Sequence, residues 1–192
     1  MILVKNKIWW IIVLVFVFIP VKKYAQESKG IQYKFTETDS TYSFLGSFKT
    51  RAEPGCLLEM CFNYEHIRAL GVFAKEVLLV DEGSGWNQIA YHYQKFIIFE
   101  NKSVWHRKLN EEKQRVDFTM VSSKNSHSVM PCMVSSSGFY QVRQQGTCQI
   151  VEYYQECQLT TAVITSLYID IMKNEVIKFM YRFSDYADTH CN

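Results

Sequence analysis

The sequence predicts an α+β protein in which a curved antiparallel sheet closes around one long C-terminal helix. Three observations carry the prediction. Residues Thr161 to Thr189 have helical periodicity: Tyr168, Ile169, Met172, Val176, Phe179, Met180, Phe183, Tyr186 and Ala187 fall in one arc of about 120°. Asp170, Lys173, Asn174, Lys178, Asp185 and Asp188 gather opposite, where charge meets water at little cost. From Glu76 to Leu159 the chain breaks into apolar runs of strand length separated by turn signals, the pattern of an antiparallel meander. No internal repeat or linker divides residues 41–189, which read as one domain.

The first 25 residues read as a signal peptide or an N-terminal membrane anchor. Lys5 and Lys7 precede an apolar run from Ile8 to Val21, a charged region followed by a hydrophobic one. That run is short of the roughly 20 residues a membrane span needs, which favours export to the periplasm or outside, with cleavage after Ala25. The alternative is an uncleaved anchor of residues 8–21, with Lys22 and Lys23 at the membrane surface.

Glu27 to Ser40 is polar and reads as a lead-in, and Thr41 to Thr50 as the first strand. Pro54 suits the first position of a helix, and Leu57, Leu58, Cys61 and Phe62 recur at helical spacing. A second short helix holds His66, Ile67 and Leu70 and stops at Gly71. Val77 to Val80 leads into a turn at Asp81–Gly85, and Gln88 to Phe99 into a turn at Glu100–Asn101. Lys102 to Leu109 and Arg115 to Ser122 flank a polar stretch, and Gly138 to Arg143 and Cys148 to Leu159 form a last hairpin around Gln144–Gly146.

The net charge of +2 is nearly balanced and its Lys and Arg are scattered, so no surface is basic enough to track nucleic acid. Six cysteines in an exported chain permit disulfides, with 15 connectivities if all pair; the competing reading is that they are small buried apolar residues. Their spacing fits no zinc pattern, there is no His-Glu-x-x-His, and Gly83-Ser84-Gly85 lacks the partners of a phosphate loop. No metal or cofactor is expected, and no Gly-x-Ser-x-Gly elbow or other catalytic set is present.

The element order resembles the helix-grip superfamily of START lipid-transfer domains, birch-pollen-type allergens and polyketide cyclase/dehydrase-like proteins, also called SRPBCC. The resemblance spans about Thr41 to Asp188. It also rests on Phe99-Glu100-Asn101-Lys102-Ser103-Val104-Trp105-His106-Arg107 and on Ser135-Ser136-Ser137-Gly138-Phe139-Tyr140-Gln141-Val142. It implies an apolar ligand held between sheet and C-terminal helix, with lipid carriage in some members and cyclisation or hydrolysis in others.

Strand alternation groups the candidate wall residues. A turn at Glu100–Asn101 would place Phe96, Ile98, Trp105 and Leu109 on one face with His92, Gln94 and Arg107, and His106 on the other. Tyr140, Val142, Val151 and Tyr153 share a face, Val116, Phe118 and Met120 add an apolar row, and Met172, Val176 and Phe179 cover them from the helix. The residues alone favour a filled core; the resemblance is what implies a cavity. Arg107 among aromatics must be paired, stacked or turned to an anionic head group, with Glu156 as a candidate partner. Met130 and Met133, in the loop Ser123 to Ser136, suit a gate over the cavity or a contact to a membrane surface.

Three functions fit this reading: binding or transport of a lipid or other hydrophobic small molecule, a cyclase or hydrolase using the same cavity, and a cavity-poor interaction domain at the membrane surface. For the enzyme, Glu156, Tyr153, Tyr140 and Arg107 are candidates by residue type alone. No residue is assigned as catalytic.

Overall fold

The computed structural model describes residues 30–71, 74–95, 99–125, 131–162 and 164–191. Eight strands form one antiparallel sheet: β1 (Gln32–Glu37), β2 (Thr41–Thr50), β3 (Glu76–Gly83), β4 (Trp86–Lys95), β5 (Phe99–Asn110), β6 (Arg115–Asn125), β7 (Met133–Gln145) and β8 (Cys148–Leu159). Two short helices, α1 (Pro54–Phe62) and α2 (Tyr64–Leu70), follow β2, and α3 (Thr165–His190) ends the fold. The strand order is β1-β2-β8-β7-β6-β5-β4-β3, so α1 and α2 carry the chain from one side of the sheet to its far edge.

Local chemistry sets these boundaries. Pro54 occupies the first turn of α1, and the Glu53 carboxylate accepts the Cys56 N–H at 2.6 Å. The backbone N–H groups of Gly55 and Cys56 together hold the Glu53 carboxyl below its ordinary pKa. Asn63 ends α1 and starts α2, its side chain accepting the Glu65 N–H. Gly85 and Gly146 take positive φ in the two-residue turns β3–β4 and β7–β8. Gly138 is required for a different reason: an added Cβ would collide with the Tyr154 carbonyl and the Phe118 ring, which crosses the sheet there.

Three expectations are corrected. The polar lead-in contains β1, an edge strand with a single half-buried residue, Phe35, stacked on Tyr42 at 5.7 Å. One covered position gives no alternation to read. Asp81 to Gly83 belong to β3, which is bulged at Val80, and only Ser84 and Gly85 turn. Glu100 and Asn101 lie in β5, opposite Gln94 and Tyr93, so they do not form the turn after β4.

The core lies between the sheet and α3. Tyr42, Phe44, Phe48, Leu57, Met60, Val151, Met180, Phe183 and Ala187 are almost fully buried. One disulfide, Cys56–Cys191, joins the first turn of α1 to the end of α3 with Cα atoms 5.7 Å apart, while Cys61, Cys132, Cys148 and Cys157 are free. Both readings of the cysteines therefore hold for part of the set. Among the described residues no helix is long and apolar enough to cross a membrane, and residues 1–29 lie outside them.

Candidate ligand cavity

Directly opposed residues in an antiparallel pair share a face. Ile89 opposes Trp105, Tyr91 opposes Ser103 and Tyr93 opposes Asn101, so β4 and β5 send these side chains inward. Arg107 and Phe118 are opposed across β5 and β6, and Tyr140 and Tyr153 across β7 and β8. With α3 across them, Tyr91, Tyr93, Asn101, Trp105, Arg107, Phe118, Tyr140 and Tyr153 border a cavity of about 510 Å³, within the range of small-molecule sites.

Its centre is aromatic. Phe118 stacks on Tyr153 at 5.8 Å and meets Tyr140 at 5.4 Å, and Trp105 meets Phe118 edge-on at 5.8 Å. Phe179 reaches down from α3 to Tyr153 at 5.5 Å. Met172 and Val176 extend this ceiling, Ile67 and Leu70 of α2 close one end, and Tyr93, 36% exposed, stands at the mouth.

Arg107 borders the cavity and is 2% exposed. It donates to the Phe62 carbonyl at 3.0 Å and to the Cys61 carbonyl. These carbonyls end α1 without intrahelical partners, where a cation is favoured, and the Phe62 carbonyl also accepts from the Asn87 amide at 3.0 Å. Sequence reading offered Glu156 as its partner, and the fold excludes that. Glu156 opposes Ser43 and Ser137 on the outer face, where it accepts from the Ser137 and Tyr154 hydroxyls. No carboxylate among the described residues pairs with Arg107.

Of the other expected wall residues, Trp105, Phe118, Tyr140, Tyr153, Met172, Val176 and Phe179 all line the cavity. Phe96 and Met130 lie outside the described residues. Met133 is the first residue of β7, 6% exposed, and forms part of the wall. Met120 opposes Trp105 but lies beside a bulge at Val121 and borders a different groove. His92 does not share the Trp105 face: it opposes Lys102 and bonds to Glu100 at 2.7 Å. His106 lies on that same outer face, its ring against Trp86 at 5.5 Å. A turn placed between Lys95 and Phe99 would have aligned Ile89, Tyr91 and Tyr93 with Trp105. Asn101 was hidden by its turn-like residue type.

The outer groove, about 570 Å³, is formed by hydroxyl-rich stretches of β1, β2, β7 and β8, including Thr36, Ser43, Ser135 and Ser137. Its hydroxyls are largely bonded to one another or to Glu156, as in Thr36–Ser43 at 2.5 Å. Of the two, the aromatic cavity would remove far more apolar surface from water and is the candidate ligand site.

Burial raises the pKa of the phenols of Tyr91, Tyr140, Tyr153 and Tyr168, and Arg107 opposes the shift at Tyr91 and Tyr140. The Cys61 thiol is pushed up to about 12, by burial against the pull of Arg107. These shifts run away from neutrality, opposite to what a general acid or base needs. Among the described residues no cluster of His, Cys, Asp or Glu is placed to hold a metal.

The chain has the helix-grip fold of START and SRPBCC proteins. It is similar to a STAR-related lipid transfer protein from Xanthomonas axonopodis, with a TM-score of 0.63 at 9% identity, covering 87% of this chain and 96% of that one. It is also similar to the Zhui aromatase/cyclase from Streptomyces sp. R1128, with a TM-score of 0.59 at 9% identity over 82% and 93% of the two chains. A START superfamily protein from Mycobacterium smegmatis matches with a TM-score of 0.59 at 6% identity over 78% and 99%. By sequence, the chain matches no protein-family model and no curated protein. Helix-grip architecture is thus shared through geometry, with little residue identity.

Proposed function

We propose that this helix-grip chain binds or carries a lipid or other hydrophobic small molecule between its sheet and α3. The observation that carries the reading is an aromatic cavity whose one deeply buried cation, Arg107, has no carboxylate partner among the described residues. An apolar body with an anionic head would match both features. The lipid-transfer protein among the structural neighbours supports this class of ligand. The aromatase/cyclase supports the enzymatic alternative, but the upward-shifted phenols argue against acid–base chemistry at neutral pH. The Cys56–Cys191 bond, with the apolar segment Ile8–Val21, supports an oxidising, exported location.

The first test is native mass spectrometry of the protein purified from its own cell envelope, followed by organic extraction. A retained lipid-class mass is the expected result; an empty protein that also takes up no fluorescent lipid would sink the carrier reading. The role of Arg107 is tested with Arg107→Met, which should weaken a long-chain fatty acid about tenfold or more and leave its methyl ester unchanged. Equal loss for acid and ester would reduce Arg107 to its contacts with α1.

A further inference from the structure

We infer that the end of the cavity away from Arg107 is a second polar subsite, built around Asn101, and that the ligand class is an amphiphile polar at both ends. The group at the Asn101 end is a hydrogen-bond donor such as a hydroxyl. This deepens the carrier reading and rests on it.

The subsite is made by the bulge in β6. Val104 opposes Ser122 and Trp105 opposes Met120, leaving Val121 unpaired. One extra residue exchanges the two faces of a strand beyond it. Val116 and Phe118 point inward before the bulge, and Ser123 and Asn125 turn to the Ser103 and Asn101 side after it. Were Val121 itself paired with Val104, Ser122 and Lys124 would face the cavity end instead.

The Asn101 side chain is 8% exposed and borders the cavity, as does Asn125. Its amide nitrogen donates to Asn125 Oδ1 at 2.6 Å and to Ser123 Oγ at 3.3 Å. Its Oδ1 is buried and has no partner among the described residues. The network sets the amide's orientation: Asn125 donates its own nitrogen to the Pro131 carbonyl, so its oxygen faces Asn101 and requires a nitrogen there. The unmet atom is therefore an acceptor, and a buried acceptor is costly unless a donor reaches it.

Gln155, on the same wall, is an amide satisfied at both ends, whereas Asn87, away from the cavity, also has an oxygen with no partner among the described residues. The Gln155 oxygen accepts from the Tyr153 hydroxyl at 2.8 Å and its nitrogen donates to Ser136 Oγ at 3.2 Å, leaving no comparable vacancy. Asn101 and Arg107 lie on the same strand, six positions apart by their numbers, or about 20 Å at roughly 3.3 Å per residue. A ligand that satisfies both has its polar ends separated by an apolar body lying along the aromatic wall.

The test is displacement of anilinonaphthalene sulfonate from the delipidated protein by hexadecanoic acid, by ω-hydroxyhexadecanoic acid and by shorter and longer homologues of the pair. The expected result is about fivefold tighter binding of the hydroxy acid at the best-fitting length, and loss of that preference in Asn101→Leu. Equal affinities on the wild-type protein at every length, or tighter binding of the plain acid, would overturn the inference while the carrier reading stands. A preference that survives in a folded Asn101→Leu variant would also overturn it. If neither acid binds at any length, the carrier reading fails and the inference falls with it.

Discussion

The two flanks of α3 carry similar apolar residues and meet very different surroundings. Met180, Phe183 and Ala187 have no measurable exposure, and Phe183 meets Phe48 edge-on at 5.3 Å above β2. Met172 and Phe179, on the same helix, are half-buried and border empty space. The difference comes from the sheet. At β2 the backbone approaches α3 closely enough that a Cβ at Gly46 would stand 3.2 Å from Met180 Cε, whereas β4 and β5 curve away and leave the cavity. Apolar periodicity says which face of a helix is covered; how far away the cover lies is set by sheet curvature.

That contrast can be broken from either side. Phe183→Ala should cost about 3–5 kcal/mol in a urea titration, because a close-packed site keeps the cavity it is given. A cost near 1 kcal/mol would mean that this flank is also loose. A second test asks whether the walls exclude water. Tyr42, Tyr153 and Tyr168 are buried, and their phenol pKa values lie above the ordinary value of 10.0 because desolvation penalises the anion. A raised native pKa means that the unfolded state loses its proton first as pH rises. The buried thiols of Cys61 and Cys157, raised from 9.0 to about 12 and about 11, should start a fall in stability near pH 9, and above pH 10 each such phenol adds about 1.4 kcal/mol per pH unit. A flat profile up to pH 11 would show water reaching them. The smallest effect on stability is expected from Phe179→Trp on the hollow flank. It should change the unfolding free energy by less than about 1 kcal/mol while weakening binding of an apolar ligand, measured by probe displacement.

Much of this architecture was legible in the residues. Pro54, Gly71 and the amphipathic face from Tyr168 to Ala187 placed the helices, and alternation through Tyr140, Val142, Val151 and Tyr153 identified the inner face of the last hairpin. What failed did so locally. Glu100-Asn101 has the composition of a turn, and the one-hairpin shift it caused sent Tyr91 and Tyr93 to the wrong face, because register has a period of two. The bulge at Val121 has no sequence signature, so Asn125 could not be placed beside Asn101. The partners of Arg107 escaped because they are backbone carbonyls on an element 45 residues away, and hydropathy carries no information about those.

The Cys56–Cys191 bond has a mechanical consequence for α3, a rod of 26 residues. Near its C-terminal end the Thr50 hydroxyl reaches Asp188 at 3.0 Å, the Glu53 N–H reaches the Cys191 carbonyl at 3.2 Å and Tyr186 meets His66 at 3.0 Å, beside the covalent tie. At the other end Ile164 supplies no side-chain cap. Over a length of about 39 Å, any rotation of the rod about Cys191 would displace Tyr168 and Met172 far more than Phe183. If α3 turns about that tie, a ligand of the proposed class would enter beneath the amino-terminal turns of the helix.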